Sequence, residues 1–461
     1  TSRFRRGSRW QLSPSFSLGW NIAQEEFWKP IENIANLLKV RFSYGELGNQ
    51  NINNWYPTYR TISIGSLNGD WLQNGLSPNT SSVGGLINTA LTWEKVRTWD
   101  VGVDYGLFNN RLTGSFDYFV RFTEGMVGPS AELPATLGIS TPSSNNSDLR
   151  TKGWEVSIGW KDRLKNGLGY GINLSLSDQI TMIDSYPDNK TLSIDSYLPG
   201  YKDGLIWGYE TIGIAKSDEE MQAHLASLPK GGQDAVGSQW AAGDIMYKDL
   251  NGDGKISEGA RTLGDHGDLK ILGDTYSHYF FGIDLNADWK GFDFRAFFQG
   301  VLKHDYWGSG NFTGMLFGVR GGYSRWHTRG FKQHEDYFRA EPAGLEGHEL
   351  PANLDSYYPR PIFSDSSDGT SFGAKNQKVQ SRYVQDASYI RLKNLQFGYT
   401  LPAKFTNKFG INRLRIFVSG ENVWTGTGLT KLFDPETISG GNGGNAYPLS
   451  RTWSFGLSLT L

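Results

Sequence analysis

Alternate positions along much of this chain are apolar. In Phe16, Leu18, Trp20 and Ile22 every second residue is greasy, while Ser15, Ser17, Gly19 and Asn21 fill the other side, which predicts a strand with one apolar face. The period returns with Leu38, Val40, Phe42 and Tyr44, then with Trp99, Val101, Val103 and Tyr105. Leu112, Phe116, Tyr118, Val120 and Phe122 follow, then Trp154, Val156, Ile158 and Trp160, then Leu168, Tyr170, Ile172, Leu174 and Leu176. A seventh strand carries Tyr279, Phe281, Ile283, Leu285 and Trp289, an eighth Phe292, Phe294, Ala296 and Phe298, and a ninth Leu395, Phe397, Tyr399 and Leu401. Leu414, Ile416 and Val418, and finally Trp453, Phe455, Leu457, Leu459 and Leu461, complete about eleven strands of roughly ten residues, the length that crosses a bilayer when tilted.

Two features point to a membrane barrel instead of a soluble sandwich. The second face is small and polar, as in Gly169, Gly171, Asn173, Ser175 and Ser177, or Thr452, Ser454, Gly456, Ser458 and Thr460, and suits a hydrated lumen. Aromatics crowd the strand ends, as at Trp99 and Tyr105, Trp154 and Trp160, and Trp289, where interfacial girdles are expected. The predicted connections also alternate. Short links near 23–36, 107–110, 162–166, 290–291 and 402–411 are interleaved with long ones near 46–98, 123–152, 181–278, 303–388 and 422–450. Outer-membrane barrels have brief periplasmic turns and extended outer loops, so the alternation assigns a side to each link. A soluble all-β protein with decorated loops has no reason to lengthen every second loop.

Composition removes other classes. The 45 basic and 47 acidic residues, a formal charge of -2, give no general attraction to nucleic acid, and no nucleic-acid partner is expected. There is no cysteine, hence no disulfide, thiolate site or cysteine nucleophile. No apolar stretch reaches the ~18 residues of a spanning helix. A secretory signal is expected to lie upstream or to have been removed.

Several longer runs then become familiar. Residues 14–20 (PSFSLGW), 38–50 (LKVRFSYGELGNQ), 93–104 (WEKVRTWDVGVD), 151–155 (TKGWE), 243–254 (GDIMYKDLNGDG), 389–395 (YIRLKNL) and 447–453 (YPLSRTW) resemble the SusC/RagA-like family of TonB-dependent outer-membrane transporters, in that family's order. The resemblance covers essentially the whole chain. It implies that residues 1–461 are the C-terminal part of a transmembrane antiparallel β-barrel, all-β, supplying about half of a barrel of ~22 strands. The plug domain, the TonB box and the N-terminal strands are expected in an upstream segment or a separate chain, because an open half-barrel would leave unpaired edges in lipid. A complete small barrel of about twelve strands is the rival, since an even number of that size closes.

The resemblance further implies active import of oligosaccharides or oligopeptides across the outer membrane of a Gram-negative bacterium. The partners it implies are a SusD-like surface lipoprotein that lids the barrel and the TonB–ExbB–ExbD system acting on the plug. Outer-membrane lipid would surround the wall. A passive porin or a surface adhesin without TonB coupling is the alternative.

One segment has candidate metal chemistry. Asp249, Asn251 and Asp253 occupy positions one, three and five of an EF-hand-like loop, Gly254 the sharp turn, and Lys255 the carbonyl position. The twelfth position is Ala260, and the nearest acid, Glu258, comes two places early. Calcium is therefore one expectation, and a solvated Asn-Gly and Asp-Gly turn without metal the other; no cofactor is otherwise required. Ser217 to Glu220 reads as a capping box opening a short helix whose Met221, Leu225 and Leu228 pack on the loop body. Trp55, Tyr56, Trp71, Trp207, Tyr209, Trp240, Trp307 and Trp326 either meet ligand or hold the loops together, and no one of them is assigned to substrate.

Enzymatic motifs fail. The residues 369–373 (GTSFG) fit a nucleophile elbow around Ser371, but polar residues 364–368 precede it where a buried strand is needed, and all seven histidines lie before Ser371, against the hydrolase order. No zinc-protease motif, P-loop or dinucleotide fingerprint occurs, and no catalytic residue is assigned.

Overall fold

The computed structural model describes residues 3–50, 52, 54–66, 74–76, 79–130, 134, 136, 138–139, 141–308, 316–317, 331–362, 374–438 and 446–461. Its main sheet has eleven strands hydrogen-bonded in chain order. They are β1 (Ser15–Asn21), β2 (Ala35–Asn49), β3 (Glu94–Leu107), β4 (Leu112–Pro129), β5 (Ser143–Arg163), β6 (Gly169–Ser185), β7 (His278–Trp289), β8 (Phe292–Lys303), β9 (Tyr389–Thr400), β10 (Arg413–Thr427) and β11 (Thr452–Thr460). All eleven strands expected from the alternation are present. No helix among the described residues is long and apolar enough to cross a membrane.

The chain forms two compact units, Thr1–Ile158 with Asp178–Asp203, and Gly159–Ser177 with Gly204–Leu461. In the first, antiparallel pairing aligns Leu18, Phe42, Val101 and Tyr118 in one row, and Trp20, Val40, Val103 and Phe116 in the next. This face is not buried: Phe16, Leu18 and Trp20 are 58%, 63% and 51% exposed. On the opposite face Gly19, Arg41, Gly102 and Asp117 align.

The second unit repeats the arrangement. Ala287, Phe294, Phe397, Val418 and Phe455 form one apolar row, and Phe292, Tyr399, Ile416 and Leu457 another. Phe455 is 88% and Leu457 63% exposed. Because side chains alternate strictly across a sheet, one shared register turns these rows to the same side, while Phe297 and Phe417 fall on the opposite face, where Arg415 lies over the Phe417 ring. Of the aromatics expected at strand ends, Tyr105, Trp160 and Trp289 lie near them, with Trp160 Nε1 donating to Tyr170 Oη at 3.2 Å and Trp289 beneath the Lys290 ammonium. Trp99 and Trp154 instead fall inside β3 and β5, which run further than the alternation predicts. Between β7 and β8 the link is two residues, Lys290 and Gly291, both at positive φ, the geometry of a tight hairpin turn.

One expected loop is mostly strand. The segment 123–152 was expected as a long link, yet β4 runs to Pro129 and β5 begins at Ser143. Alternation stops there because polar side chains themselves hold the hairpin: Asn145 Nδ2 donates to the Gly125 carbonyl at 2.7 Å, and Asp148 Oδ1 accepts from the Gly125 amide at 2.8 Å. The pattern of one apolar face therefore ends before the strands do.

In the second unit, the long links between β6 and β7 and between β8 and β9 build a packed body of their own. Leu205–Tyr209 pairs with Leu269–Asp274, and Thr211–Ile214 with Ile245–Tyr247. The helix Asp218–Ala226 starts as expected: Ser217 Oγ accepts from the Glu220 amide, and the Glu220 carboxylate accepts from the Lys216 amide. Met221 and Leu228 are buried against this body.

Candidate functional site

The two elements that bear on function are the polar face of the strands and the interlocked outer links. The polar face is richer than expected. In the first unit Arg41 reaches Asp104 at 2.9 Å and Asp117 at 3.0 Å across three neighbouring strands. Gly102 leaves the room for it, since a Cβ there would stand 2.9 Å from the Arg41 guanidinium carbon. In the second unit Arg163 pairs with Asp288 at 2.8 Å, Arg295 with Asp284 at 2.6 Å and Arg415 with Asp293 at 2.5 Å. Arg295 and Asp284 join adjacent strands, whereas Arg163 reaches Asp288 across β6 over Gly169, and Arg415 reaches Asp293 across β9 over Gly398. All three lie on the face opposite the apolar rows, so the lining is a field of compensated charge. Sequence reading recognised the small residues of this face and missed these ion pairs. Their signal was present in the alternate charged positions Lys39 and Arg41, and Asp100 and Asp104.

At the centre of the outer body, Asp244 is fully buried and takes four donors from the other long link. Arg360 Nε and Nη2 reach its two oxygens at 2.8 and 2.9 Å, Lys375 Nζ at 2.7 Å and Asn376 Nδ2 at 2.9 Å. Gly243 precedes it at φ +84°, and any side chain there would meet Phe338 and Arg360. That turn aims the carboxylate inward. Lys375 also donates to the carbonyls of Ser238 and Gln239 and lies 4.7 Å from the Trp240 ring. Burial pushes its ammonium pKa down, against the upward pull of Asp244. Around this knot Gln233 bridges Ile245 and Tyr247, and the Tyr247 hydroxyl donates to the Lys375 carbonyl at 2.6 Å.

Aromatics named from the sequence divide accordingly. Tyr209 and Trp240 are buried core of the outer body, and Trp207 packs on His266. Trp307 packs on Phe317. Trp55 and Tyr56 are exposed, with the Arg3 guanidinium over Trp55. Trp71, Trp326 and Ser371, with the rest of 363–373, lie outside the described residues.

The Asp249 loop is closed by its own hydrogen bonds. Asp249 accepts from the amides of Gly252 at 2.6 Å and Gly254 at 2.9 Å, Asn251 from Asp253, and Asp253 from Lys255. Glu258 instead pairs with Arg261 at 2.6 Å. Among the described residues no group of three or more acidic, histidine or cysteine side chains is placed to hold a metal ion. Asp268, unassigned from the sequence, anchors the loop from outside by accepting from the amides of Leu250 and Ser257.

This architecture has known counterparts. TonB-dependent receptor P3 of Formosa agariphila is 29% identical over 483 aligned residues, which cover 100% of this chain and 43% of that relative. TonB-dependent receptor SusC of Bacteroides thetaiotaomicron is 24% identical, with 100% of this chain and 41% of that protein covered. The chain thus spans less than half the length of the curated relatives it matches. The fold is also similar to a chain of the RagAB peptide transporter, with a TM-score of 0.69 at 21% identity, over 99% of this chain and 44% of that one. Residues 1–423 match the family described as TonB dependent receptor-like, beta-barrel. With the exposed apolar rows and the ion-paired polar face of its strands, the chain belongs to that family of barrels.

Proposed function

We propose that this chain forms part of the wall and outer mouth of a TonB-energised importer of oligosaccharides or oligopeptides in the outer membrane of a Gram-negative bacterium. The observation that carries the proposal is the division of the strand faces: exposed Leu18, Phe397 and Leu457 suit lipid, whereas Arg41, Arg295 and Arg415 with their aspartates suit a wet passage. A ligand too large for a passive pore must enter a closed chamber before a plug moves, and no covalent chemistry is needed. The plug and the remaining strands would come from outside this chain, since among the described residues β1 and β11 each pair on one side only. A SusD-like lipoprotein would cover the outer body, and TonB–ExbB–ExbD would supply the energy. The peptide transporter of similar fold supports the oligopeptide class.

Cells carrying the intact protein are expected to take up labelled oligopeptides or oligosaccharides only when TonB is functional. Uptake that persists without TonB would favour a passive porin and overturn the proposal.

A further inference from the structure

The short link between β9 and β10 is unlike a bare turn. Residues 402–413 (PAKFTNKFGINR) carry Lys404, Lys408 and Arg413 and no acidic residue. The first half is a turn of helix, Ala403–Thr406, continued by the 3₁₀ turn Asn407–Phe409. Only Thr406 faces inward and is buried. Phe405 and Phe409, four positions apart, pack with ring centroids 5.6 Å apart and planes tilted by 59°, yet are 53% and 68% exposed. Neither Lys404 nor Lys408 forms an ion pair among the described residues. Two paired phenyl rings beside free ammonium groups are a costly surface to leave in water.

Continuity with the strands identifies what covers this surface. The Leu401 amide donates to the Leu414 carbonyl, Leu414 pairs with Leu459, and Ile416 with Leu457, so the turn grows from the exposed apolar rows of β10 and β11. We propose that this turn is a membrane-surface foot, in which Phe405 and Phe409 enter the headgroup boundary of the phospholipid leaflet and Lys404 and Lys408 meet lipid phosphates. This rests on the outer-membrane reading above. Apolar side chains between ammonium groups are the composition of interfacial helices, and here a fixed barrel edge holds that composition at the required level.

The chain has no cysteine, so a single one in place of Asn407 gives a clean attachment point that leaves both phenyl rings intact. The intact protein, otherwise freed of cysteine, is labelled there with a fluorophore and reconstituted in vesicles of brominated phosphatidylcholine, with labels at Leu457 and Asn251 as lipid and water references. Quenching at 407 is expected to exceed that at 251, to rise when phosphatidylglycerol is included, and to fall to the water reference in Phe405→Ser/Phe409→Ser. The rise with phosphatidylglycerol should disappear in Lys404→Gln/Lys408→Gln. Quenching at 457 with none at 407 overturns the inference, leaves the barrel reading intact, and assigns the patch to a protein partner. No quenching at 457 overturns the barrel reading itself. No response to phosphatidylglycerol removes the phosphate contacts.

Discussion

Asp244 and Lys375 meet at 2.7 Å with both side chains wholly removed from solvent, and they come from different long connections of the outer body. Lys375→Met leaves Asp244 paired with Arg360 and Asn376 but removes one buried donor from it and from the Ser238 and Gln239 carbonyls, and is expected to destabilise the outer body by roughly 1–3 kcal/mol. Limited proteolysis of the intact protein should show early cleavage in 204–277 and 374–388 while the strands stay folded. Unchanged resistance would show that the pair is dispensable.

The exposed rows should tolerate charge poorly. Leu457→Arg is expected to cost about 2–4 kcal/mol if the site lies near the bilayer midplane, whereas Ser458→Arg, on the opposite face, should cost far less. Comparing the heat-dependent shift in gel mobility of the two variants distinguishes them, and equal effects would argue against a lipid-facing row.

Gly102 faces the junction of Arg41 with Asp117. Gly102→Val is expected to force that ion pair apart and to cost about 1–3 kcal/mol through overpacking. Resistance to chemical denaturation in detergent reads this out, with Val101→Ile as the control on the other face.

His304 directly follows β8 and is buried, its Nε2 without a hydrogen-bond partner among the described residues. Burial lowers its pKa from the ordinary value of 6.5, against the raising effects of Asp305, the Thr275 backbone, Asp386 and Asp274. A lowered folded-state pKa means that the opened segment binds a proton more readily, so local stability is lost as pH falls below about 6.5. Amide exchange around 304–306, corrected for its intrinsic pH dependence, should quicken on acidification, and His304→Phe should abolish that response.

Calcium at the Asp249 loop is open to a direct test. Both oxygens of Asp249 already receive backbone amides, so added calcium is expected to leave exchange in 249–258 unchanged. Protection that rises with calcium and vanishes in Asp249→Ala would place an ion among Asp249, Asn251, Asp253, Lys255 and Glu258.

The strands were legible because a sheet between lipid and water writes its two environments into alternate residues. Phe16, Leu18 and Trp20 are apolar for the same reason that they are exposed. Where that contrast ends, as in 123–152, strand and loop look alike in composition, and the hairpin held by Asn145 and Asp148 read as a link. The outer body was less legible still. Asp244 lay inside a run that carried the family resemblance, but its burial depends on Arg360, Lys375 and Asn376, more than a hundred residues away, and no local pattern announces such a pairing.

The Ala241 amide donates to Asp244 from its own connection, but the four side-chain donors on it all come from the other one. Neither connection can swing outward alone without abandoning a charge in a medium of low polarity, so the outer body has one degree of freedom where two loops would have two. A displacement of Asp244 therefore drags Arg360, Lys375 and Asn376 with it, and a change in one connection is felt at the other without an intermediary.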